Sequence, residues 1–594
     1  ATVHVISDIH GDDAKMRHVI NNASGTLRPI VEDLFAPKMS ESELKDFFAL
    51  LFYPRETLER LRSSLEKDEQ QLQQYCRSNL RRLFDLIRAL APRYPRQRVV
   101  DIFPDEYRNL LIELLREPST GRGQEYYDEL IDSLVRHGRG LRFVRLVVRV
   151  VRNLAIEELV IAGDCWDRGP RGDRVVEYLQ HLPRVSFIWG NHDTAWLGAC
   201  LGQEACIAHV LRISCRYRRL SQLEEGYGIN LQPLEYLART VYKDDPADIK
   251  IKGTGLRQEE TVRRMQKAAA VMQFKLEGQT IERNPHWNLE NRRLLHRINR
   301  EAGTVEIDGV ERTLRDTHFP TLTSANPYEL SPEERKCMDR IKQSFFASEK
   351  LWEQMQFLVS HGQMALERDG HLIFHACVPV DENGDFQSLE IDGKPYKGRE
   401  LFGALDRVMA RVLDRPSQAD LDLMWYLWCG PQSPLFGKDR ICTFEIDFVE
   451  EKEAHVETKN PYFQMIHEAD FCDRILTEMG ANVERGLIVN GHVPVKIEKG
   501  ENPLKRSGKA ITIDGAFSVA YGDHGYTLVL EPERTLLAKH HHFESVDAAI
   551  EQGVDIIPTM TEVRHFDQPR YVADTERGEE IRREDLGRDC LRRF

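Results

Sequence analysis

Asp8 and His10 in Ser-Asp-Ile-His-Gly-Asp, Asp164 in Gly-Asp-Cys-Trp-Asp-Arg-Gly, Asn191 and His192 in Gly-Asn-His-Asp, His375, and His492 in Asn-Gly-His can together hold two cations and move a proton. Phosphate esters are anionic and repel nucleophiles, so hydrolysis at neutral pH needs that charge neutralised and hydroxide supplied. Two divalent cations roughly 3.5–4 Å apart do both. On this reading Asp164 bridges the cations, Asp8 and His10 hold the first, and Asn191, His375 and His492 complete the second. Mixed oxygen and imidazole donors suit Mn2+, Fe2+ or Zn2+ better than Mg2+ or Ca2+, and two manganese ions are the expectation. His192 is assigned to the substrate side, as a general acid that protonates the leaving alkoxide. Asp167 would orient that ring and keep it protonated. Arg168 offers a planar fork that fits phosphate oxygens.

Taken singly these motifs say little. Asp-x-His is commonly a capping loop, Gly-Asn-His-Asp can be a turn, and His375 or His492 alone reads as an ordinary strand-end histidine. Their joint order carries the argument, because each follows a short apolar run. Residues 2–7, 158–162, 185–189, 371–374 and 486–489 read as strands that end where a motif begins. Residues 510–513 and 526–530 add two more. Helical stretches between the early strands point to an α/β layered fold, in which ligands sit beyond the carboxyl ends of the strands.

A βαβ step needs about 30 residues. Asp164 to Asn191 fits one such step, but His10 to Asp164 spans far more, so an insertion lies between them. Leu58, Leu61, Leu65, Leu72, Leu83, Ile87 and Leu90 mark a helical apolar stripe, broken at residues 91–95. A later helix carries Phe143, Val144, Val147, Val150, Val151 and Leu154 opposite Arg142, Arg145, Arg149 and Arg152. It is expected to be a crossover helix packed on the sheet, in preference to a membrane-surface helix. Residues 259–276 and 331–358 look helical within a second insertion. The expected division is a catalytic core of residues 1–20, 155–230 and 360–540, a helical insertion 21–154, a mostly helical insertion 231–359 and a C-terminal extension 541–594. That extension ends in a charged tail from about Asp567, read as surface or partner-facing.

Two apparent motifs do not survive. Trp428-Cys429-Gly430-Pro431 lacks the second cysteine of a dithiol centre, since Gln432 stands there. Asp381 to Asp385 lacks the bidentate glutamate of a calcium loop and reads as a hairpin turn. The net charge of −14 over 594 residues argues against a duplex-DNA binder. No run of about 18 apolar residues appears, so no membrane partner is expected. Eleven cysteines without a disulfide-scaffold spacing fit a reducing, cytoplasmic setting. Ala1 enters the first strand without a methionine, so a preceding stretch is expected.

These motifs resemble the calcineurin-like metallophosphoesterase superfamily. Residues 424–428 (Met-Trp-Tyr-Leu-Trp), 433–438, Lys459-Asn460-Pro461-Tyr462, 490–496 and 514–517 narrow the resemblance to class III fructose-1,6-bisphosphatase, a bacterial gluconeogenic enzyme. The resemblance implies a β-sandwich flanked by helices, with large helical insertions. It also implies manganese-dependent hydrolysis of the 1-phosphate of fructose 1,6-bisphosphate, and regulation by a nucleotide or metabolite effector such as AMP. A homo-oligomer is expected. Many metallophosphoesterases end in Gly-His-x-His, whose second histidine joins the first metal; here Pro494 stands at that position, as in phosphoprotein phosphatases. A bisphosphate needs a second cationic pocket, for which Lys438, Arg440, Lys496, Lys505 and Arg506 are candidates, with Lys438 and Lys496 taken alongside Arg168 as substrate-binding. The alternatives are a protein serine/threonine phosphatase or dinucleoside polyphosphate hydrolase with an open groove, and a non-catalytic scaffold.

Overall fold

The computed structural model describes residues 2–94, 96–115, 124–252, 258–515, 517–518, 524–552, 557–569, 571, 575–576, 578–579 and 582–583. The strands that position the motifs are β1 (Val3–Ile6), β2 (Glu158–Ile161), β3 (Val185–Ile188), β4 (Gly362–Gln363), β5 (Ala365–Arg368), β6 (His371–Phe374), β7 (Ile488–Asn490), β8 (Ala510–Thr512), β9 (Gly525–Leu530), β10 (Arg534–His540) and β11 (Thr559–His565). They build a seven-stranded sheet in the order β11-β10-β9-β1-β2-β3-β4 and a four-stranded sheet in the order β8-β7-β6-β5. In the first, β1 to β4 run parallel, with Val3 opposite Glu158, Leu159 opposite Val185 and Phe187 opposite Gly362. In the second, β6, β7 and β8 run parallel, with Ile488 opposite both Leu372 and Ala510. Every motif therefore leaves the carboxyl end of a parallel strand.

Alternate residues on each strand enter different cores. Val5, Val160 and Ile188 of the large sheet share one apolar layer with Ile373, Val489 and Ile511 of the small sheet. Ile6, Ile161, Phe187, Leu372 and Ile488 belong to a second layer with helix residues such as Val175, Leu197 and Leu211. Burial on both faces explains why the strands read as continuous apolar runs.

The helices used below are α1 (Asp13–Asn21), α2 (Glu69–Leu90), α3 (Gly140–Ala155), α4 (Asn191–Cys200), α5 (Glu204–Arg216), α6 (Glu259–Arg283), α7 (Pro332–Phe346), α8 (Glu349–His361) and α9 (Gln418–Cys429). The first long insertion has a core of its own, in which Leu80, Leu83 and Ile87 of α2 meet Phe143, Val147 and Val151 of α3. This corrects the expectation that α3 packs on the sheet. Its apolar side faces α2, and Arg142, Arg145 and Arg149 on the opposite side are exposed. The stripe from Leu58 to Leu90 is divided too: Pro54–Leu65 ends before Asp68, whose carboxylate caps α2 by accepting from the N–H groups of Gln70 and Gln71. Residues 331–358 likewise form two helices, because Ser348 caps α8. By contrast, α6 shares the main core with α5. The chain from Asp381 to Asp385 is a hairpin turn, with the Asp381 N–H donating to Asp385 O and the Gly384 N–H to Asp381 O. The end of the chain is less detached than its charge suggested: β11 extends the large sheet, and Glu576 accepts the N–H groups of Asp369 and Gly370 at the β5–β6 turn. Among the described residues no helix is long and apolar enough to cross a membrane.

Candidate active site

The loops leaving β1, β2 and β7 are bent backbone held in place by one another. Asp8 (φ 54°), His10 (φ 50°), Asp164 (φ 61°) and His492 (φ 66°) occupy the left-handed region, at a cost on the order of 1–3 kcal/mol each for a residue with a Cβ. Hydrogen bonds between loops retain them: the Asp8 N–H donates to Gly163 O at 3.0 Å and the His10 N–H to Asp164 O at 2.9 Å. The strain turns four side chains toward one point. Two glycines make the approach possible, since a Cβ at Gly190 would collide with Asp164 Oδ1 and one at Gly491 with Asp8 Oδ2.

Asp164 is common to two donor groups, one with Asp8 and His10 and one with His375 and His492; within each, the ligating atoms lie within 4.8 Å of one another. His375 Nδ1 donates to Ala162 O at 2.9 Å, so Nε2 is the nitrogen left to take a proton or a cation. That Nε2 lies 3.4 Å from Asp164 Oδ2 and 3.2 Å from His492 Nδ1. Asn191 Nδ2 donates to Trp428 O at 3.2 Å, and its Oδ1 is buried without a hydrogen-bond partner. His10 Nδ1 is 3.2 Å from Trp166 O, with Nε2 3.7 Å from Asp8 Oδ1. An orphaned amide oxygen and facing imidazole lone pairs beside buried carboxylates fit divalent cations.

The electrostatics agree. Burial alone would lower the pKa of the His375 ring, yet the carboxylates of Asp164 and Asp8 override it and push it up to about 10. Burial raises Asp164 in the same way, but the neighbouring His375 and His192 hold it well below the usual carboxylate range. The cluster recruits positive charge. Asp8 is displaced upward, by burial first and by the Asp164 charge as well. His492 is driven well below the ordinary imidazole value by burial and by His375.

On the other side, His192 Nδ1 lies 3.3 Å from Asp167 Oδ1, and Arg168 Nε lies 3.1 Å from Asp167 Oδ2. The expected partners are therefore together. Burial lowers His192 more than the charges of Asp167 and Asp164 raise it, so the ring of the free protein leans neutral. The Asp167 carboxylate favours the protonated ring and the depth of the site opposes it.

A cavity of about 320 Å³ opens over these groups, lined among others by Arg168, His192, His209, Arg212, Arg216 and Lys438. Lys438 is at the cavity wall and pairs with Glu457 at 2.7 Å. Lys496 and Arg506 are exposed and outside that lining, and Lys505, half-buried, is outside it as well. Arg440 pairs with Asp308 and Asp439. Sequence reasoning gave no role to Asp193, whose buried carboxylate accepts the N–H groups of Asp164 (2.7 Å), Cys165 (2.8 Å) and Gly190 (3.0 Å) and so ties two of the loops together. Its place in Gly-Asn-His-Asp was the available signal. It also missed His209, Arg212 and Arg216, whose helical spacing was visible in the sequence.

Comparison with known proteins gives one consistent result. The family described as Firmicute fructose-1,6-bisphosphatase matches residues 1–586 of the chain. The chain is 38% identical to the class 3 fructose-1,6-bisphosphatase of Clostridium acetobutylicum over 600 residues, covering 98% of this chain and 90% of that protein. It is 39% identical to the one from Alkaliphilus metalliredigens, with the same two shares covered. No solved structure matches the chain.

Proposed function

Because the chain belongs to the Firmicute fructose-1,6-bisphosphatase family, we propose that it hydrolyses the 1-phosphate of fructose 1,6-bisphosphate, giving fructose 6-phosphate and phosphate. The observation that carries this beyond kinship is Asp164, which joins two donor groups on the floor of a cavity walled by arginine and lysine. Asp8, His10 and Asp164 would hold one divalent cation, and Asp164, Asn191, His375 and His492 a second. When bound, such cations neutralise phosphoryl charge and lower the pKa of water. Manganese fits the donor set.

The remaining steps fall to the chain. Arg168, fixed by Asp167 and set over the Tyr217 ring at 5.3 Å, presents N–H groups to the phosphoryl oxygens. His192, oriented through Nδ1 by Asp167, gives its proton to the sugar oxygen as the ester bond breaks. An anionic substrate against the ring opposes the effect of burial, so the ring acquires that proton as the substrate docks. Asp193 keeps the backbone of two loops in register while charge shifts.

The same reading places the protein in a cytoplasmic gluconeogenic step and its two sheets in the calcineurin-like metallophosphoesterase architecture. An effector such as AMP and a homo-oligomeric assembly accompany it. The divided core, with insertions at 21–154 and 231–359 and an extension from 541, is retained as its domain organisation. The test is phosphate release from fructose 1,6-bisphosphate beside a phosphopeptide at saturating manganese. Turnover of the sugar and little of the peptide is the expected result; the reverse would make the protein a phosphoprotein phosphatase.

A further inference from the structure

We propose that Arg212 and Arg216 on α5 anchor the phosphate that is not cleaved, and so set the preference for a bisphosphate. The assignment rests on the sugar-bisphosphate reading above. His209, Arg212, Ile213 and Arg216 all line the cavity, and their spacing places them on one face of α5. The His209 ring is 6.2 Å from the ring of His192 and 3.9 Å from that of Trp428, which fixes the near end of this face beside the reacting centre. From there Arg212 and Arg216 stand about 4.5 and 10.5 Å further along the helix axis, at 1.5 Å per residue. An extended substrate held at one end by the metal donors would bring its other end to these guanidinium groups.

The charge balance says what they are for. Arg168 has Asp167 and Lys438 has Glu457, but Arg212 and Arg216 share Asp447. Arg216 Nη1 donates to Asp447 Oδ1 at 2.7 Å, while Arg212 Nη1 is 3.8 Å from Oδ2, outside hydrogen-bond range. Arg212 Nε donates to the neutral Gln273 at 2.7 Å. The remaining guanidinium N–H groups of the pair have no acceptor among the described residues. Glu277 is the other acid near Arg212. Its carboxyl, pushed up by burial, is held by Gln273 and Trp425. With a side chain only 4% exposed, Arg212 carries a nearly desolvated charge beside a second arginine, and the one carboxylate they share leaves the pair short of an anion. A phosphate dianion, with oxygens to match two planar forks, is that anion. A polyanionic peptide fits less well, because the pair lies inside the cavity and is mostly buried.

The experiment compares kcat/KM for fructose 1,6-bisphosphate and fructose 1-phosphate in the manganese-loaded full chain. Wild type is expected to favour the bisphosphate. Arg216→Met should lose on the order of 10–100-fold on the bisphosphate, as for a lost charged hydrogen bond, with KM rising. Its kcat/KM for the monophosphate should stay within about threefold, which also shows that it is folded. Arg216→Lys should recover part of the preference. Equal losses on both substrates in both variants, or no loss in either, overturn the assignment. So does a loss of discrimination in Lys496→Gln with none in Arg216→Met. A wild type that treats the two sugars alike would instead remove the bisphosphatase reading, and the anchor with it.

Discussion

His375 Nε2 and His492 Nδ1 face each other at 3.2 Å, their rings at 65° with centroids 5.0 Å apart. The Nδ1 proton of His375 is committed to Ala162 O. Two lone pairs do not hold this separation without a proton or a cation between them. His375→Ala should therefore lower bound manganese from two ions per chain to about one, with the group around Asp8 and His10 still occupied. Metal analysis after dialysis reads this directly, and two ions retained in the variant would remove His375 from the ligand set.

Asp193 is the joint between the loops after β2 and β3. Its two oxygens accept three backbone N–H groups, and an amide at that position must turn an NH2 group toward at least one of them. Asp193→Asn should cost about 1–3 kcal/mol, the penalty for an unmatched buried donor. A lower urea midpoint at unchanged slope checks the stability. Weaker manganese binding should accompany it, because the backbone of Asp164 moves with the lost bonds. Unchanged stability would show the three contacts to be dispensable.

His192 belongs to the same motif as Asn191 but faces a different task. Its Nδ1 is turned to Asp167, whereas Asn191, in the lining of the same cavity, keeps a buried Oδ1 without a hydrogen-bond partner. His192→Ala should retain both manganese ions and lower turnover by roughly 10²–10⁴. Loss of an ion in this variant would move His192 into the ligand set and leave the proton donor to be found elsewhere.

The strand ends were legible because burial on both faces writes an uninterrupted apolar run, and a metal donor that follows such a run breaks it visibly. That is how Asp8, Asp164, Asn191, His375 and His492 were found. β11 was illegible for the converse reason. Most of Thr559–His565 is exposed, so no buried face marks it. The division at Ser348 was hidden because a capping serine inside a long helical pattern reads equally well as a solvated position. Arg212 and Arg216 were hidden by their type, since arginines on a helix are ordinarily solvent-facing. Only the fold, by laying α5 along the cavity, turns that polar face inward. The loops' left-handed residues were hidden as well: Asp8 and Asp164 give no local sign of positive φ, which is imposed by the bonds across to Gly163 and His10.

Two histidines far from any chemistry should govern stability in mild acid. His4 on β1 and His540 on β10 are fully buried, and burial lowers each from 6.5 to about 3. Each ring has a hydroxyl beside it, Ser24 Oγ at 3.0 Å from His4 Nδ1 and Thr527 Oγ1 at 2.7 Å from His540 Nε2, and it is burial that keeps both neutral. Below pH 6.5 the unfolded chain takes up these protons and the folded chain does not, so their contribution is complete above 6.5 and is lost as the pH falls toward 3. Within that window each should lower stability by about 1.4 kcal/mol per pH unit. Urea midpoints between pH 6.5 and 4.5 should fall more steeply for wild type than for His540→Gln, with the single variant removing about half of the histidine contribution and the double variant with His4→Gln the rest. Parallel curves for all three proteins would mean that both rings already share their protons in the folded state.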